Sequence, residues 1–250
     1  MLTKAIEKIL ELAKPNIVDV HGDSYTDKAL HYVPYERMAP VMMTHTLSSI
    51  VDYLTNGTDD VSAEPEDGLY RVDDRRYVIH VEDYNKVSLK HELNFDRNRE
   101  TLMTATDDTT TFPFNRYMDI ENFIVAVQAF FLQDDTTAKL LQLVSHITDS
   151  NSVTQSDDGC TQTVTAKTGI LTAAQVALPN PVQLTPLCTF TEAEQPMRQF
   201  VFRLRGGDGI NAALFEADGN AWKREAIQNI KAYFAREIPK ELCDDVIILA

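Results

Sequence analysis

The hydrophobic pattern of residues 119–147 predicts two consecutive central helices. Asp119 is a suitable cap for a first helix, and Asp134-Asp135 interrupts the pattern and can cap a second. The apolar residues at helical spacing are Ile120, Phe123, Ile124, Val127, Phe130, Phe131, Leu140, Leu141, Val144 and Ile147. Because the connection is short and both stripes are strongly apolar, we expect the two helices to pack as a pair in a core.

The same spacing predicts three further helices, which begin near Thr3, Thr46 and Trp222. Pro15 should end the first of them, and Asn56-Gly57 should end the second. Residues 24–43 have little periodicity and contain two prolines, so we expect them to be irregular.

Alternating patterns predict strands that are linked mainly by hairpins. Residues 77–81 and 87–93 alternate on either side of a turn at residues 83–85. Residues 200–205 and 210–216 flank a glycine-rich turn, which we interpret as a hairpin rather than a phosphate loop because a strand follows it. Helices and strands come in blocks rather than in strict alternation. The sequence therefore predicts an α+β fold with mainly antiparallel sheet packed against amphipathic helices.

An acidic, weakly apolar stretch between residues 59 and 74 is the predicted break in the chain. It suggests an N-terminal helical and mixed lobe over residues 1–60. A β-hairpin segment then covers residues 61–115, and the central helix pair with a C-terminal α+β lobe covers residues 116–250. One compact domain is the alternative organisation at this length.

The composition limits the classes of function that the chain supports. It has 23 basic and 38 acidic residues, and the resulting net charge of −15 disfavours non-specific binding to nucleic acid or to anionic membranes. Cys160, Cys188 and Cys243 lack metal-ligand spacing and predict free thiols in a reducing cytoplasm. We expect no signal peptide, no membrane span and no cofactor.

The best candidates for chemistry are three arginines close together in an acidic chain. Arg198, Arg203 and Arg205 are candidates for an anion site, because guanidinium groups bind phosphate and carboxylate bidentately. Aromatic partners for the same ligand are Tyr70, Tyr77 and Trp222. Internal pairing with the abundant carboxylates is the favoured interpretation of the same arginines.

Support for a metal site is weaker. Glu216 and Asp218 are separated by one residue, which favours a common face and makes them candidates for binding Mg²⁺, but a turn before a helix is the favoured explanation of both. His80 and His91 are candidates for a pair across the first hairpin. No catalytic motif joins a serine or cysteine nucleophile to a histidine and an acid.

Several segments resemble a known family. They include PNPVQLTPLCTF, FVFRLR, FEADGNAWKREAIQNIK, KVSLKHELNFDRNRE and FNRYMDIENFIVAVQAFF, and together the similar segments extend over nearly the whole chain. The chain resembles the YfdQ-like family of uncharacterised bacteriophage and prophage proteins. That resemblance implies a phage protein made in the host bacterial cytoplasm, and it transfers no catalytic or binding residue.

These observations favour a cytoplasmic binding protein that counters host defence. It would sequester a small anionic nucleotide signal or mask a host protein, and homo-oligomerisation is compatible with the sequence. One alternative is an acidic accessory factor or DNA mimic in phage DNA recombination or replication. Another is a metal-dependent enzyme that processes nucleotides through Glu216 and Asp218.

Overall fold

The structure of the protein is a computed structural model. It describes residues 17–20, 23–26, 40–56, 76–93, 97–148, 152–157, 161–168, 171–172, 176–206 and 209–250. The predicted helix near Thr3, the acidic stretch after residue 59, Tyr70 and Cys160 lie outside these residues.

The helices and strands follow in chain order. The elements are β1 (Ile17–Val20), β2 (Asp23–Thr26), β3 (Met42–Thr44), α1 (Ser48–Asn56), β4 (Tyr77–Asp83), β5 (Lys86–His91), β6 (Thr101–Thr106), β7 (Met118–Asp119), α2 (Ile120–Phe130), α3 (Asp135–Thr148), β8 (Ser152–Asp157), β9 (Thr161–Thr168), β10 (Leu171–Thr172), β11 (Val176–Pro179), β12 (Val182–Leu184), β13 (Arg198–Arg205), β14 (Asn211–Glu216), α4 (Trp222–Glu237) and β15 (Val246–Leu249).

The hairpin of β1 and β2 belongs to one compact unit, Met1–Ala39, and all other elements belong to a second unit, Pro40–Ala250. The second unit contains a five-stranded sheet, β15-β4-β5-β6-β3, a four-stranded sheet, β12-β13-β14-β7, and a smaller sheet in which β9 pairs with β8, β10 and β11. Pairing is antiparallel except where β15 joins β4 and where β3 joins β6. The predicted α+β fold with mainly antiparallel sheet is confirmed.

The five-stranded sheet buries one face against α1 and α4. Alternate residues of β4 and β5, such as Ile79 and Leu89, are fully buried and pack with Ile50 of α1 and with Ile230 and Phe234 of α4. In α4 the buried residues recur every three or four positions, as the amphipathic pattern predicted.

The four-stranded sheet buries its inner face against the predicted helix pair. Phe200 and Phe202 of β13 pack in one core with Phe123 of α2 and Leu140 of α3, and all four side chains are fully buried. The Asp119 side chain accepts a hydrogen bond from the Asn122 amide at the start of α2, so this predicted cap is confirmed. The cap provided by Asp134 is confirmed as well, because its carboxylate accepts from the Thr137 amide.

A segment of irregular structure, residues 185–197, joins β12 to β13 of the four-stranded sheet and also contacts the five-stranded sheet. Its Thr189 hydroxyl donates to the Tyr84 carbonyl at the β4–β5 turn, and its Leu187 amide donates to the Phe130 carbonyl of α2. The Glu192 carboxylate accepts from the Leu47 and Ser48 amides at 2.8 and 2.9 Å, and so caps α1. This one segment therefore contacts both cores.

One expectation about strands is wrong. Residues 24–43 were expected to be irregular, yet β2 and β3 lie at the two ends of that segment, and β3 pairs with β6.

The predicted domain boundaries at residues 60 and 115 stay predictions. The C-terminal strand β15 pairs with β4 in the 61–115 segment.

Removal of the Glu192 carboxylate should destabilise the protein measurably. We expect Glu192→Ala to lower the free energy of unfolding by about 1 to 2 kcal/mol, because two amides at the start of α1 lose their acceptor. Glu194→Ala removes the same charge from an exposed side chain two residues away and should change it by less than about 0.5 kcal/mol. Urea denaturation of both variants measures the difference, and equal losses would contradict the capping role.

Candidate functional site

Arg198, at the start of β13, is a buried cation with two carboxylate partners. Its side chain is 2% exposed, its Nε donates to Asp218 at 2.8 Å and its Nη2 donates to Glu216. Glu216 ends β14 and Asp218 precedes α4, so this ion-pair cluster lies where strand and helix meet. Two carboxylates around one guanidinium compensate its charge and give the cluster a net charge of −1 when both are ionised.

Three aromatic rings surround the same guanidinium. Its Cζ lies 4.5 Å from the ring centroid of Trp222, 5.1 Å from that of Phe200 and 5.2 Å from that of Phe114. Aromatic faces attract a cation, and they exclude water from it. Arg198 is therefore enclosed within the fold.

Two residues in left-handed backbone conformations hold the carboxylates in place. Asn115, with φ 62°, donates from Nδ2 to Glu216 at 2.9 Å and accepts from the Glu216 amide at 3.1 Å. Asn220, with φ 65°, donates its amide to Asp218. Asparagine tolerates this conformation better than most residues, which explains its presence at both positions.

The ion pairs shift the pKa values of Asp218 and Arg198. Burial alone would raise the pKa of Asp218, but hydrogen bonds from Arg198 and from the Asn220 amide outweigh it, and the pKa lies below its usual value. Burial alone would lower the pKa of Arg198, but its hydrogen bonds to Asp218 and Glu216 raise it. Both groups therefore stay charged at neutral pH.

The outer face of the four-stranded sheet carries the other two arginines. Strand alternation turns Arg198 and Phe200 inward and Gln199, Arg203 and Arg205 outward. Arg205 is exposed, and its Cζ lies 5.8 Å from the ring centroid of Tyr117. The Tyr117 and Phe215 rings are 5.7 Å apart in an edge arrangement. We call Arg203, Arg205, Tyr117 and Phe215 the outer-face row.

Members of the outer-face row differ in exposure. Tyr117 is 41% exposed, whereas Arg203 and Phe215 are half-buried. Arg203 also takes part in an interaction within the chain. Arg205 and Tyr117 are thus the members most accessible to a ligand.

A cavity of about 370 Å³ lies at the β12 edge of the same sheet. Its lining residues are Thr136, Pro179, Pro181, Gln183 and Gln199, which include no charged side chain. Gln183 and Gln199 are register partners in β12 and β13, so their side chains lie side by side on one face.

The structure separates the residues that the sequence suggested for one ligand site. Arg198, Trp222, Glu216 and Asp218 come together, but as an internal cluster, and Arg203 and Arg205 lie on the opposite face of the sheet. Tyr77 lies in the five-stranded sheet, with its ring 5.2 Å from that of His91.

The candidate metal ligands are also accounted for within the fold. Both Glu216 and Asp218 are engaged by Arg198. The suggested pair of His80 and His91 is wrong, because the hairpin register places His80 opposite Ser88 and His91 opposite Tyr77, on opposite faces. Across the part of the chain that the structure describes, no group of three or more His, Cys, Asp or Glu residues is arranged to hold a metal ion.

Sequence reasoning missed Tyr117, Phe215, Gln183 and Gln199. Tyr117 stands just before a helix cap, and the glutamines lie near prolines, so no local motif marks any of them. The pairing of β12 with β13 and of β14 with β7 brings them to one face. A correct prediction of the order of these four strands would have identified the four residues.

No protein-family model, curated protein or solved structure matches the chain. The resemblance to the YfdQ-like family therefore stays a prediction. Among the described helices, none combines the length and the apolar character needed to cross a bilayer.

Loss of the Arg198 side chain should be strongly destabilising. We expect Arg198→Ala to lower the free energy of unfolding by about 3 to 5 kcal/mol, because Asp218 is left with an uncompensated charge in a largely buried position. Arg236→Ala removes an arginine that is 66% exposed and pairs with Glu237, and should cost less than about 1 kcal/mol. Chemical denaturation measures the free energy of unfolding of both variants, and similar losses of stability would refute the structural role of Arg198.

The Asp218 ion pair should make stability depend on pH in acid. Because the pKa of Asp218 is lowered by folding, its contribution is complete above its unfolded value of 3.8 and is lost as the pH falls through the folded value. We expect the stability difference between the wild-type protein and Asp218→Asn to shrink as the pH falls below 3.8. In an Arg198→Ala background most of this pH dependence should disappear. Denaturant titrations at several pH values test this, and a difference independent of pH would contradict it.

Proposed function

We propose that the protein binds an anionic nucleotide through the outer-face row and does not turn it over. The observation that supports this most directly is that the exposed Arg205 places its Cζ 5.8 Å from the ring centroid of the exposed Tyr117. A nucleotide offers the two complementary groups, a phosphate for the guanidinium and a flat base for the ring. Protein sites for nucleotides use this combination because base–aromatic stacking tolerates any base.

Arg205 lies at the end of β13, where a phosphate would contact its guanidinium. Arg205 is exposed, and the next residue is Gly206, where an added Cβ would have no atom within 4 Å. Backbone at such a position is open to close approach by a ligand. Arg203, two residues earlier on the same face, adds a second guanidinium that the sheet holds in place.

The overall charge favours a small anion over a polyanion. A net charge of −15 repels a long nucleic acid, whose affinity depends on many phosphate contacts. At physiological salt, charges farther away than about 8 Å are largely screened. A small nucleotide therefore responds chiefly to the local arginines.

Binding without turnover is consistent with sequestration of a small nucleotide signal of the host. The carboxylates considered for metal-dependent chemistry, Glu216 and Asp218, are held by Arg198, so the proposal assigns them no catalytic role. The resemblance to phage proteins implies the bacterial cytoplasm as the setting, and the role against host defence is part of the proposal itself.

Masking of a host protein is the second candidate, and a specific observation favours it. Tyrosine and arginine are enriched at protein interfaces, and the outer-face row presents both on an open sheet face. Carboxylates on an acidic loop of a partner would pair with the same arginines.

The proposal predicts that nucleotide binding depends on the outward arginines. In calorimetry with ADP, GDP, CDP, UDP and ADP-ribose, we expect Arg203→Ala/Arg205→Ala to weaken binding by about a hundredfold, since each charge-assisted contact contributes about 1.5 to 3 kcal/mol. Arg205→Lys should lose part of the affinity, because an ammonium cannot form a bidentate contact.

The matched control is Arg224→Ala/Arg236→Ala, which removes two positive charges from exposed positions of α4. It should bind as the wild-type protein does. Absence of heat with every nucleotide, or an equal loss in the control, would overturn the proposal. Recovery of one host protein by the wild-type protein and not by Arg203→Ala/Arg205→Ala, without nucleotide binding, would favour masking instead.

A further inference from the structure

We infer that the cavity beside Gln183 and Gln199 is a second base subsite, so that the preferred ligand is a dinucleotide. One base would stack at Tyr117, the phosphates would bind Arg203 and Arg205, and the second base would enter the cavity. This inference rests on the proposed function, because it assumes phosphate at the outward arginines.

The lining of the cavity suits an uncharged heterocycle. Each glutamine amide offers two donors and one acceptor, which match the donor and acceptor groups on a base edge. Pro179 and Pro181 add apolar surface against which a flat ring can pack. The volume of about 370 Å³ lies in the range of small-ligand pockets, about 300 to 1,000 Å³.

The cavity is built on a fixed part of the fold. Val182 and Leu184, on either side of Gln183, are fully buried in the core below the sheet. The register Gln183↔Gln199 continues directly into Val182↔Phe200, so both glutamines are held by the strands. Binding groups on anchored strands lose little conformational entropy when a ligand binds.

The separation of the cavity from the outer-face row matches a ligand with two bases. Gln199 and Arg203 are four positions apart along β13, which corresponds to roughly 13 Å. The strand order places Tyr117 two strands away from β13, or about 10 Å across the sheet. A mononucleotide bound at Tyr117 and the arginines would leave the cavity empty. Two nucleosides joined through phosphates extend far enough to occupy both ends.

The experiment compares one-base and two-base probes. By calorimetry, we expect P1,P2-di(adenosine-5′) diphosphate to bind at least about tenfold more tightly than ADP, since the second base adds hydrogen bonds in the cavity. Gln183→Ala/Gln199→Ala should abolish that advantage and leave the affinity for ADP unchanged. Gln128→Ala/Gln142→Ala, two exposed glutamines on α2 and α3, should keep it. Thermal melts confirm that each variant is folded.

The possible outcomes separate this inference from the proposed function. Equal affinity for ADP and the dinucleotide, with no effect of the cavity variant, would overturn the second subsite and leave the proposed function standing. Loss of ADP binding in Gln183→Ala/Gln199→Ala would also overturn the second subsite, since the cavity would then bind the base of ADP itself. Absence of binding by both probes would overturn both.

Discussion

The buried positive charge of Arg198 is the constraint on which the arrangement of both sheets depends. Its guanidinium joins the start of β13 to the end of β14 and to the residues before α4 through Glu216 and Asp218. Trp222, the first residue of α4, lies over the guanidinium and meets the Tyr84 ring at the β4–β5 turn, with centroids 4.8 Å apart. α4 also covers the five-stranded sheet. The compensated charge of Arg198 therefore orients the helix that joins the five-stranded sheet to the four-stranded sheet.

Strand alternation separates the buried Arg198 from Arg203 and Arg205, the arginines proposed to bind a ligand, within eight residues. The inward residues of β13 pack with α2 and α3 or pair with carboxylates, while the outward residues carry Arg203 and Arg205 on a rigid surface. A site on a strand whose other face is packed needs little reorganisation when it binds. The acidic remainder of the protein makes this basic and aromatic face distinct, and it is the reason that the proposed ligands are small or locally acidic.

Most of the features that were predicted correctly depend on residues close in sequence. The caps at Asp119 and Asp134, the paired helices and the hairpins were predicted because each depends on residues close in sequence. β3 was missed and the histidine pair was wrongly suggested because parallel pairing with β6 and the hairpin register depend on distant or cross-strand partners. Of the candidate site, the sequence identified the arginines but not Tyr117 or the glutamines.

The amino-acid sequence by itself determined the described helices, the strands of two hairpins and their α+β grouping, since hydrophobic periodicity specifies which face of each element must be buried. It also determined that arginines are concentrated in β13. Only the tertiary structure decided that Arg198 is neutralised inside the protein while Arg205 meets Tyr117 at the surface. The physical reason is that burial and ion pairing depend on which strands become neighbours, and that choice is made by the whole core rather than by any local stretch of the chain.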